Sequence, residues 1–438
     1  MLFHRAPGPP LPLTAGPFAR ASLAPGMGRP DLSRRASFWV LALVLALCLF
    51  AASAPSPLYA VYAATWQFSP TTLTAIYAVY SVGALAALLI SGRLSDHVGR
   101  RRVVALAMVI QIAGAAAFIV AQDVGALYAG RLLQGVGTGM AVGPLSAWLL
   151  DLLPPENRGF GALIGGVAPI AGLAAGALGS GVLVQYAPDP VHLVFWMLAV
   201  VFAVALAAIP RVPDRVVRRA GWLRSMRPQV GVPKAVWPLF AALSPSLIAI
   251  WALAALYLAL GPSLAMSSLG TDSRLVGGSV IAALMGAGAV ASVFGRATEP
   301  RLVVIRGSIG VIAGVAITLI AVATGSVLGF YAGTVIAGIG FGPAFGAILR
   351  SLTPLAPPDK RSALVAAIYF LLYFALSVPT VIAGFAVTRY GLLPTTYVYG
   401  LVVIGLATLT TVVLTRRAHE TDRASAPMSS GIGAAPSD

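Results

Sequence analysis

The feature that most constrains this chain is a succession of long apolar segments that contain almost no charged side chains. The stretch from Phe38 to Phe50 is apolar at every position. A helix of about 20 residues crosses the roughly 30 Å hydrocarbon layer of a bilayer. Only 10% of the residues are charged, against roughly 25% in soluble domains. The chain therefore cannot cover a water-facing surface with charge, and the sequence predicts an all-α integral membrane protein.

Twelve transmembrane helices fit these segments. We place them at about 38–63, 71–92, 103–121, 126–150, 160–184, 191–210, 236–262, 275–295, 303–323, 327–349, 363–387 and 392–415. The predicted organisation is a disordered cytoplasmic N-terminal tail (1–36), a six-helix half (37–210), a cytoplasmic central loop (211–235), a second six-helix half (236–416) and a disordered cytoplasmic C-terminal tail (417–438).

The basic residues are distributed unevenly among the predicted loops. The net charge of +16 would suit a nucleic-acid-binding protein. However, 26 of the 29 Lys and Arg residues fall in the tails and in every second loop. This is the pattern of the positive-inside rule, which places basic loops in the cytoplasm. We therefore expect a lipid bilayer as the partner, no nucleic acid, and both ends in the cytoplasm. The alanine-rich, lysine-poor composition favours the inner membrane of a bacterium.

An internal repeat divides the chain at a constant offset in residue number. Tyr128-Ala-Gly recurs as Tyr331-Ala-Gly, three spaced glycines from Gly135 recur from Gly338, and Pro154-Pro-Glu-Asn-Arg resembles Pro357-Pro-Asp-Lys-Arg. Because each half holds six helices, both halves start on the same side and run parallel. Parallel repeats of this kind are a transporter architecture, with the substrate site between the halves.

The loop after the second predicted helix carries a motif of glycine, acidic and basic residues. It consists of Gly92, Arg93, Asp96, Gly99, Arg100 and Arg101. It resembles the signature loop of the major facilitator superfamily, although His97 and Val98 replace the usual basic and aromatic residues. The resemblance implies a twelve-helix permease in which this loop is a cytoplasmic gate. Asp96 would meet the N-terminus of the eleventh helix near Ser362, and Arg100 could meet Asp151. The alternative is a basic loop that only sets the orientation.

The fourth and fifth predicted helices carry further motif residues. Arg131, Gln134 and Gly135 resemble the family's Arg-x-x-Gln-Gly motif. Because an arginine inside a span raises the free energy of membrane insertion, we expect Arg131 to face a cavity or a partner. Snorkelling to the surface and a buried structural hydrogen bond are the alternatives. Pro169 and Gly172 resemble, in part, a motif of exporters in this family. Plain helix packing explains such small residues equally well.

Aromatic residues of the helices that line the central pathway in this family are candidate substrate contacts. They are Tyr77, Trp251, Tyr257, Phe341, Phe345, Tyr369 and Tyr373. Packing against other helices or lipid is the alternative for each.

These features favour a secondary active transporter that exports small hydrophobic or amphipathic compounds by alternating access. An importer or uniporter of a polar metabolite such as a sugar or carboxylate, and a non-transporting receptor or scaffold, are the alternatives. No catalytic triad, phosphate loop or metal cluster is recognisable, so we expect no enzyme activity, cofactor or metal. The proton is a candidate coupling ion, although no acidic residue lies inside a predicted span. We expect a monomer that takes a small-molecule substrate.

Overall fold

Long helices account for most of the structure. This computed structural model describes residues 32–92, 94–214, 226, 229–270 and 273–425. Within them lie twelve long helices: α1 Arg34–Ser53, α2 Pro70–Ser91, α3 Arg100–Ile119, α4 Val124–Leu152, α5 Arg158–Tyr186, α6 Leu193–Ala208, α7 Trp237–Ala259, α8 Arg274–Phe294, α9 Pro300–Thr324, α10 Val327–Leu352, α11 Arg361–Tyr390 and α12 Leu392–Ser425. The predicted all-α membrane fold is confirmed.

Eleven of the helical segments in the described part of the chain are long and apolar enough to cross a membrane. The segment that falls short is α4. Its 29 residues give ample length, but it contains Arg131, Gln134 and six glycines, which lower its hydropathy. The twelve-span prediction is thus confirmed for eleven helices, and the crossing by α4 stays a prediction.

The two ends of the described chain differ from the expected boundaries. Helix α1 begins at Arg34, inside the predicted tail 1–36, because Ser33 caps it by accepting a hydrogen bond from the Ala36 amide at 3.2 Å. Residues 1–31 lie outside the described residues. At the other end, α12 continues to Ser425, although the sequence placed a disordered tail at 417–438. Arg, Ala and Glu favour helix in this stretch, and residues 426–438 are outside the described part.

The predicted internal repeat is visible in where the helices begin. Helices α4 and α10 start at Val124 and Val327, which are counterparts in the repeat. Both are capped by the residue before them: Asp123 accepts from the Ala126 amide and Ser326 from the Gly329 amide. Helices α5 and α11 start at Arg158 and Arg361, which are related by the same offset.

Glycines hold α4 and α10 against their neighbours in the same way in both halves. A β-carbon on Gly135 would lie 2.2 Å from the Tyr80 carbonyl oxygen of α2, and one on Gly338 would lie 2.3 Å from the Leu284 carbonyl oxygen of α8. Only glycine permits such close backbone contact. The repeat therefore preserves the packing of the helices as well as their order.

The helix ends define two sides of the bundle. We call one the basic side: it holds the start of α1 and the α2–α3, α4–α5, α8–α9 and α10–α11 connections. The other side is called the opposite side.

The two halves contact each other closely on the opposite side. Thr71 of α2 hydrogen-bonds through its Oγ1 to Thr388 Oγ1 of α11 at 2.9 Å. The side chain of Gln185 on α5 accepts a hydrogen bond from the Arg274 amide of α8 at 3.0 Å. One helical turn from the Gln185 contact, Gly181 of α5 lies against Gly278 of α8. These pairs close the opposite side.

Candidate functional site

A cavity of about 420 Å³ lies between the halves and extends to the basic side. Helices α4 and α5 form one wall, and α8, α10 and α11 form the other. The volume lies within the usual range for small-molecule sites. Most of its lining is apolar or glycine: Leu150, Gly159, Gly161, Ala162, Leu163, Gly165, Gly166, Val167, Ile170, Gly295, Gly342, Pro343, Phe345, Gly346 and Leu349, with Ser146, Ser292, Tyr369, Arg296 and Arg350 as the polar members.

The aromatic candidates of the second half form one cluster beside this cavity. Trp251 contacts Phe341 and Phe345 edge-on, at centroid distances of 5.4 and 5.3 Å. Phe345 in turn contacts Tyr369 at 5.9 Å, and Tyr369 lies 6.5 Å from Tyr373. Phe345 and Tyr369 line the cavity, and Trp251 and Tyr373 contact them without lining it themselves. A flat apolar ligand in the cavity would therefore meet a rigid aromatic surface.

Arg131 is fully buried in α4, two turns from the opposite side. Its Nη1 donates to the Ala52 carbonyl oxygen of α1 at 2.8 Å and to Gln134 Oε1 at 3.1 Å. The guanidinium carbon lies 4.9 Å from the Tyr77 ring centroid and 4.4 Å from that of Tyr80, both on α2. Cation–π contacts strengthen when the groups are desolvated. Snorkelling to the surface is thus ruled out in this conformation, and the charge is held by neutral groups.

The equivalent position in the second half is chemically different. Thr334, the counterpart of Arg131 in the repeat, bonds through its Oγ1 to the hydroxyl of Tyr257 at 2.9 Å. Both side chains are buried, and Tyr257 is 4% exposed. The predicted pathway residue Tyr257 therefore joins α7 to α10 and does not line the cavity. The two halves share their helix packing but differ in charge at the positions of Arg131 and Thr334.

The Gly92–Arg102 loop is anchored to the start of the central connection. Gly99 adopts a φ of 97°, which favours glycine. The Arg101 amide donates to Asp214 Oδ2 at 3.1 Å, and Arg101 Nη2 donates to the Val212 carbonyl oxygen at 2.6 Å. The Trp148 ring of α4 donates to the Pro213 carbonyl oxygen at 3.0 Å. The loop and the first half thus hold the beginning of the segment that joins the halves.

The predicted contact between Arg100 and Asp151 is present as an ion pair, which links the start of α3 to the end of α4. Asp96 is exposed and forms no ion pair with the residues that the structure describes. Its predicted contact with α11 is therefore not made in this conformation. Gly92 ends α2, and Arg93 lies outside the described residues.

Several small residues predicted for the pathway pack helices together. Gly172 of α5 faces the Ala46 carbonyl oxygen of α1, from which a β-carbon would be only 2.1 Å away, and Gly135 faces α2. Pro169 lies in α5 between the cavity-lining residues Val167 and Ile170. Close packing therefore explains Gly172 and Gly135, and Pro169 is next to the cavity wall.

Two arginines of the cavity, Arg296 and Arg350, are not among the predicted site residues. Both come at the ends of predicted spans and therefore resemble residues of basic loops in the sequence. The structure places Arg350 inside α10, two residues before its end. The signal that could have found it is its spacing of four residues from Gly346, which puts both on one face of a helix. Among the described residues, no group of three His, Cys, Asp or Glu side chains could hold a metal ion.

A family model and several known proteins are similar to this chain. The sequence model of the Major Facilitator Superfamily matches residues 41–380. Multidrug resistance protein 3 of Bacillus subtilis is 33% identical over 108 residues, 24% of this chain and 21% of that protein. Multidrug resistance protein MdtL of Escherichia coli O81 is 32% identical over 146 residues, 32% of this chain and 35% of that protein. Sugar transporter ERD6-like 6 of Arabidopsis thaliana is 27% identical over 139 residues, 30% of this chain and 28% of that protein.

The matched segments cover only about a fifth to a third of these relatives. A crystal structure of the nucleoside transporter NupG superimposes with a TM-score of 0.66 at 13% identity, covering 86% of this chain and 99% of that one. At this identity the likeness shows the fold alone.

Two parallel halves with a cavity between them are an architecture found among membrane transporters. Since the family match spans most of the chain, the protein belongs to the major facilitator superfamily.

Proposed function

We propose that this protein is a secondary active transporter that exports small hydrophobic or amphipathic compounds by alternating access. The observation that carries this proposal is the cavity between the halves, which is lined mainly by apolar and glycine residues and extends to the basic side. We place that side in the cytoplasm, with both chain ends, in the inner membrane of a bacterium. The protein would act there as a monomer.

Two observations favour export. The cavity is poor in the amide and carboxylate side chains that a sugar site would need. In addition, two of the similar proteins are called multidrug resistance proteins. The similarity to a sugar transporter supports a second candidate function, which is import or uniport of a polar metabolite.

The Gly92–Arg102 loop would act as the gate on the basic side. When this side closes, the Asp96 carboxylate would approach the N-terminus of α11 at Arg361, where the helix dipole favours negative charge. The Arg100–Asp151 ion pair would keep the loop attached to α4 during this movement. Asp96 is exposed in the present conformation and so is available for that contact.

The proposal is tested by transport of uncharged and charged fluorescent dyes in proteoliposomes, with and without an imposed pH gradient. Protein-dependent movement that follows the gradient is the expected result and would identify the proton as the coupling ion. Movement of sugars or organic acids down their own gradients, with no dye movement, would favour the second candidate. Protein that is folded and reconstituted but moves no compound of either panel would contradict transport altogether.

A further inference from the structure

The charged side chains of the cavity all have the same sign. Arg296 and Arg350 line it on the basic side, and no carboxylate is among the lining residues that the structure describes. Neither arginine forms an ion pair with another described residue. Deeper in the bundle, Arg131 is held by a carbonyl, an amide and two tyrosine rings, none of which neutralises its charge. The charged side chains that line the cavity are thus positive, and the buried Arg131 adds a further positive charge between the cavity and the opposite side.

Arg350 is directed into the cavity. A β-carbon built on Gly346, one turn earlier in α10, would lie 3.6 Å from Arg350 Nη1. The guanidinium group therefore lies back over Gly346, which is itself a lining residue. A larger side chain at Gly346 would compete for this space. A guanidinium group presents paired N–H donors that match the two oxygens of a carboxylate or sulfonate.

The rest of the lining fits an apolar body. Phe345 and Tyr369 form an aromatic surface on one wall. Gly159, Gly165 and Gly166 of α5 lie on the facing wall, where a β-carbon would have nothing within 4 Å, so this wall leaves room for a flat group. A ligand that fills both parts would carry an apolar or aromatic body and an anionic group.

We propose that the transported compounds are amphipathic organic anions and that Arg350 binds their carboxylate or sulfonate group. This inference rests on the proposed transport function and names its substrate class. In a cavity with low-dielectric walls, unpaired like charges raise the local concentration of the opposite charge. The same field disfavours hydrophobic cations, which this cavity would otherwise accommodate by shape.

The test uses three compounds with one ring system: 2-naphthalenesulfonate, 2-naphthalenesulfonamide and trimethyl(2-naphthyl)ammonium. Transport into proteoliposomes and binding to the purified full-length chain are both measured. We expect the sulfonate to bind about tenfold or more tightly than the other two, a difference typical of one charge-assisted contact. R350Q should remove this preference without changing the affinity for the sulfonamide, and R350K should retain part of it.

R306Q is the matched control. Arg306 also carries a positive charge on the basic half of the bundle, but it lines a different cleft, between α8, α9 and α10. This variant should keep the wild-type preference for the sulfonate.

The outcomes separate the two proposals. If the cation or the neutral compound is transported in preference, or if R350Q binds the sulfonate as tightly as the wild type, the inference is wrong while transport itself stands. If R350Q does not fold, the sulfonate affinity of R350K decides, and an unchanged value overturns the inference. If none of the three compounds moves or binds, the substrate class is wrong, and the dye, sugar and organic-acid panels decide separately whether the proposed transport function stands.

Discussion

Arg131 shows how a single charged residue can be accommodated inside a membrane helix. Its charge is spread over the faces of Tyr77 and Tyr80 and the carbonyl oxygen of Ala52. The three partners come from α1 and α2, so Arg131 also ties α4 to these helices. A planar guanidinium can contact two rings and two oxygens together, and an ammonium group cannot.

R131K should therefore reduce transport about tenfold or more while the protein still folds. The lysine retains the charge but loses the planar stacking on the two rings, and a desolvated cation–π contact is worth about 2 kcal/mol. The measurement is the initial rate of transport per mole of protein that elutes as a single species in size-exclusion chromatography.

T334S serves as the comparison for R131K because it alters the equivalent position of the second half while preserving the hydroxyl that bonds to Tyr257. This variant should transport at the wild-type rate. Wild-type transport by R131K would show that a positive charge alone is sufficient at position 131.

Glycine contacts determine how closely the central helix of each half packs. Gly139 of α4 lies against the Ala84 carbonyl oxygen of α2, and Gly342 of α10 lies against the Gly288 carbonyl oxygen of α8. Because both contacts join backbone to backbone, the helices cannot separate to admit a side chain without losing their neighbouring contacts. We infer that each half moves largely as a unit.

G139A should lower the apparent melting temperature of the protein in detergent by several degrees. A β-carbon at this position would lie 2.2 Å from the Ala84 carbonyl oxygen, and overpacking of this kind costs about 1–3 kcal/mol. G143A is the control on the same helix, since a β-carbon there has nothing within 4 Å. Equal melting temperatures for the two variants would contradict the packing argument.

The helices and the repeat could be predicted from the sequence because long apolar segments and a constant offset are properties of the chain itself. The partner of Arg100 was also predicted, since the ion pair joins two residues at neighbouring helix ends. The position of Arg350 in the cavity and the extra turns of α12 were not predicted. Hydropathy cannot distinguish a basic loop from the basic end of a helix, because both lie at the same depth.

At the scale of the whole molecule, the two halves are in contact on one side and are separated by a cavity on the other. Threonine, glutamine and glycine contacts join the halves on the opposite side, while the cavity extends to the basic side. A sequence must be compatible with every state of a transporter, so it does not reveal which state is the most stable. For this reason the sequence could not predict that Asp96 would be exposed and without a contact to α11 in this conformation.

A disulfide between positions 71 and 388 should lock the opposite side and stop transport. The Oγ1 atoms of Thr71 and Thr388 are 2.9 Å apart, which suits a cross-link between the two helices. The variant T71C/T388C is made with C48A, because Cys48 is the one native cysteine and is buried. Transport should fall on oxidation and return on reduction.

The single variants T71C and T388C, each with C48A, should be insensitive to oxidation. Transport by the fully cross-linked double variant would show that the opposite side need not open for substrate to pass.

D96N should shift the protein towards the conformation described here and slow transport, because the neutral side chain loses its attraction to the positive end of α11. The measurement is the rate at which a maleimide modifies a cysteine at Gly159, on the cavity wall. Faster modification in D96N than in its parent is expected. Equal rates together with normal transport would argue against a gate at Asp96.

The accommodation of Arg131 also has a consequence for biosynthesis. Helix α4 is the least apolar of the twelve, and its arginine depends on groups supplied by α1 and α2. Since a nascent chain emerges from its N-terminus, both helices are already present when α4 leaves the ribosome. The order of synthesis thus provides Arg131 with partners inside the membrane, and these can stabilise the insertion of α4 where its hydrophobicity is too low to do so alone. A circularly permuted chain that delivered α4 first would have to insert a bare guanidinium group into lipid.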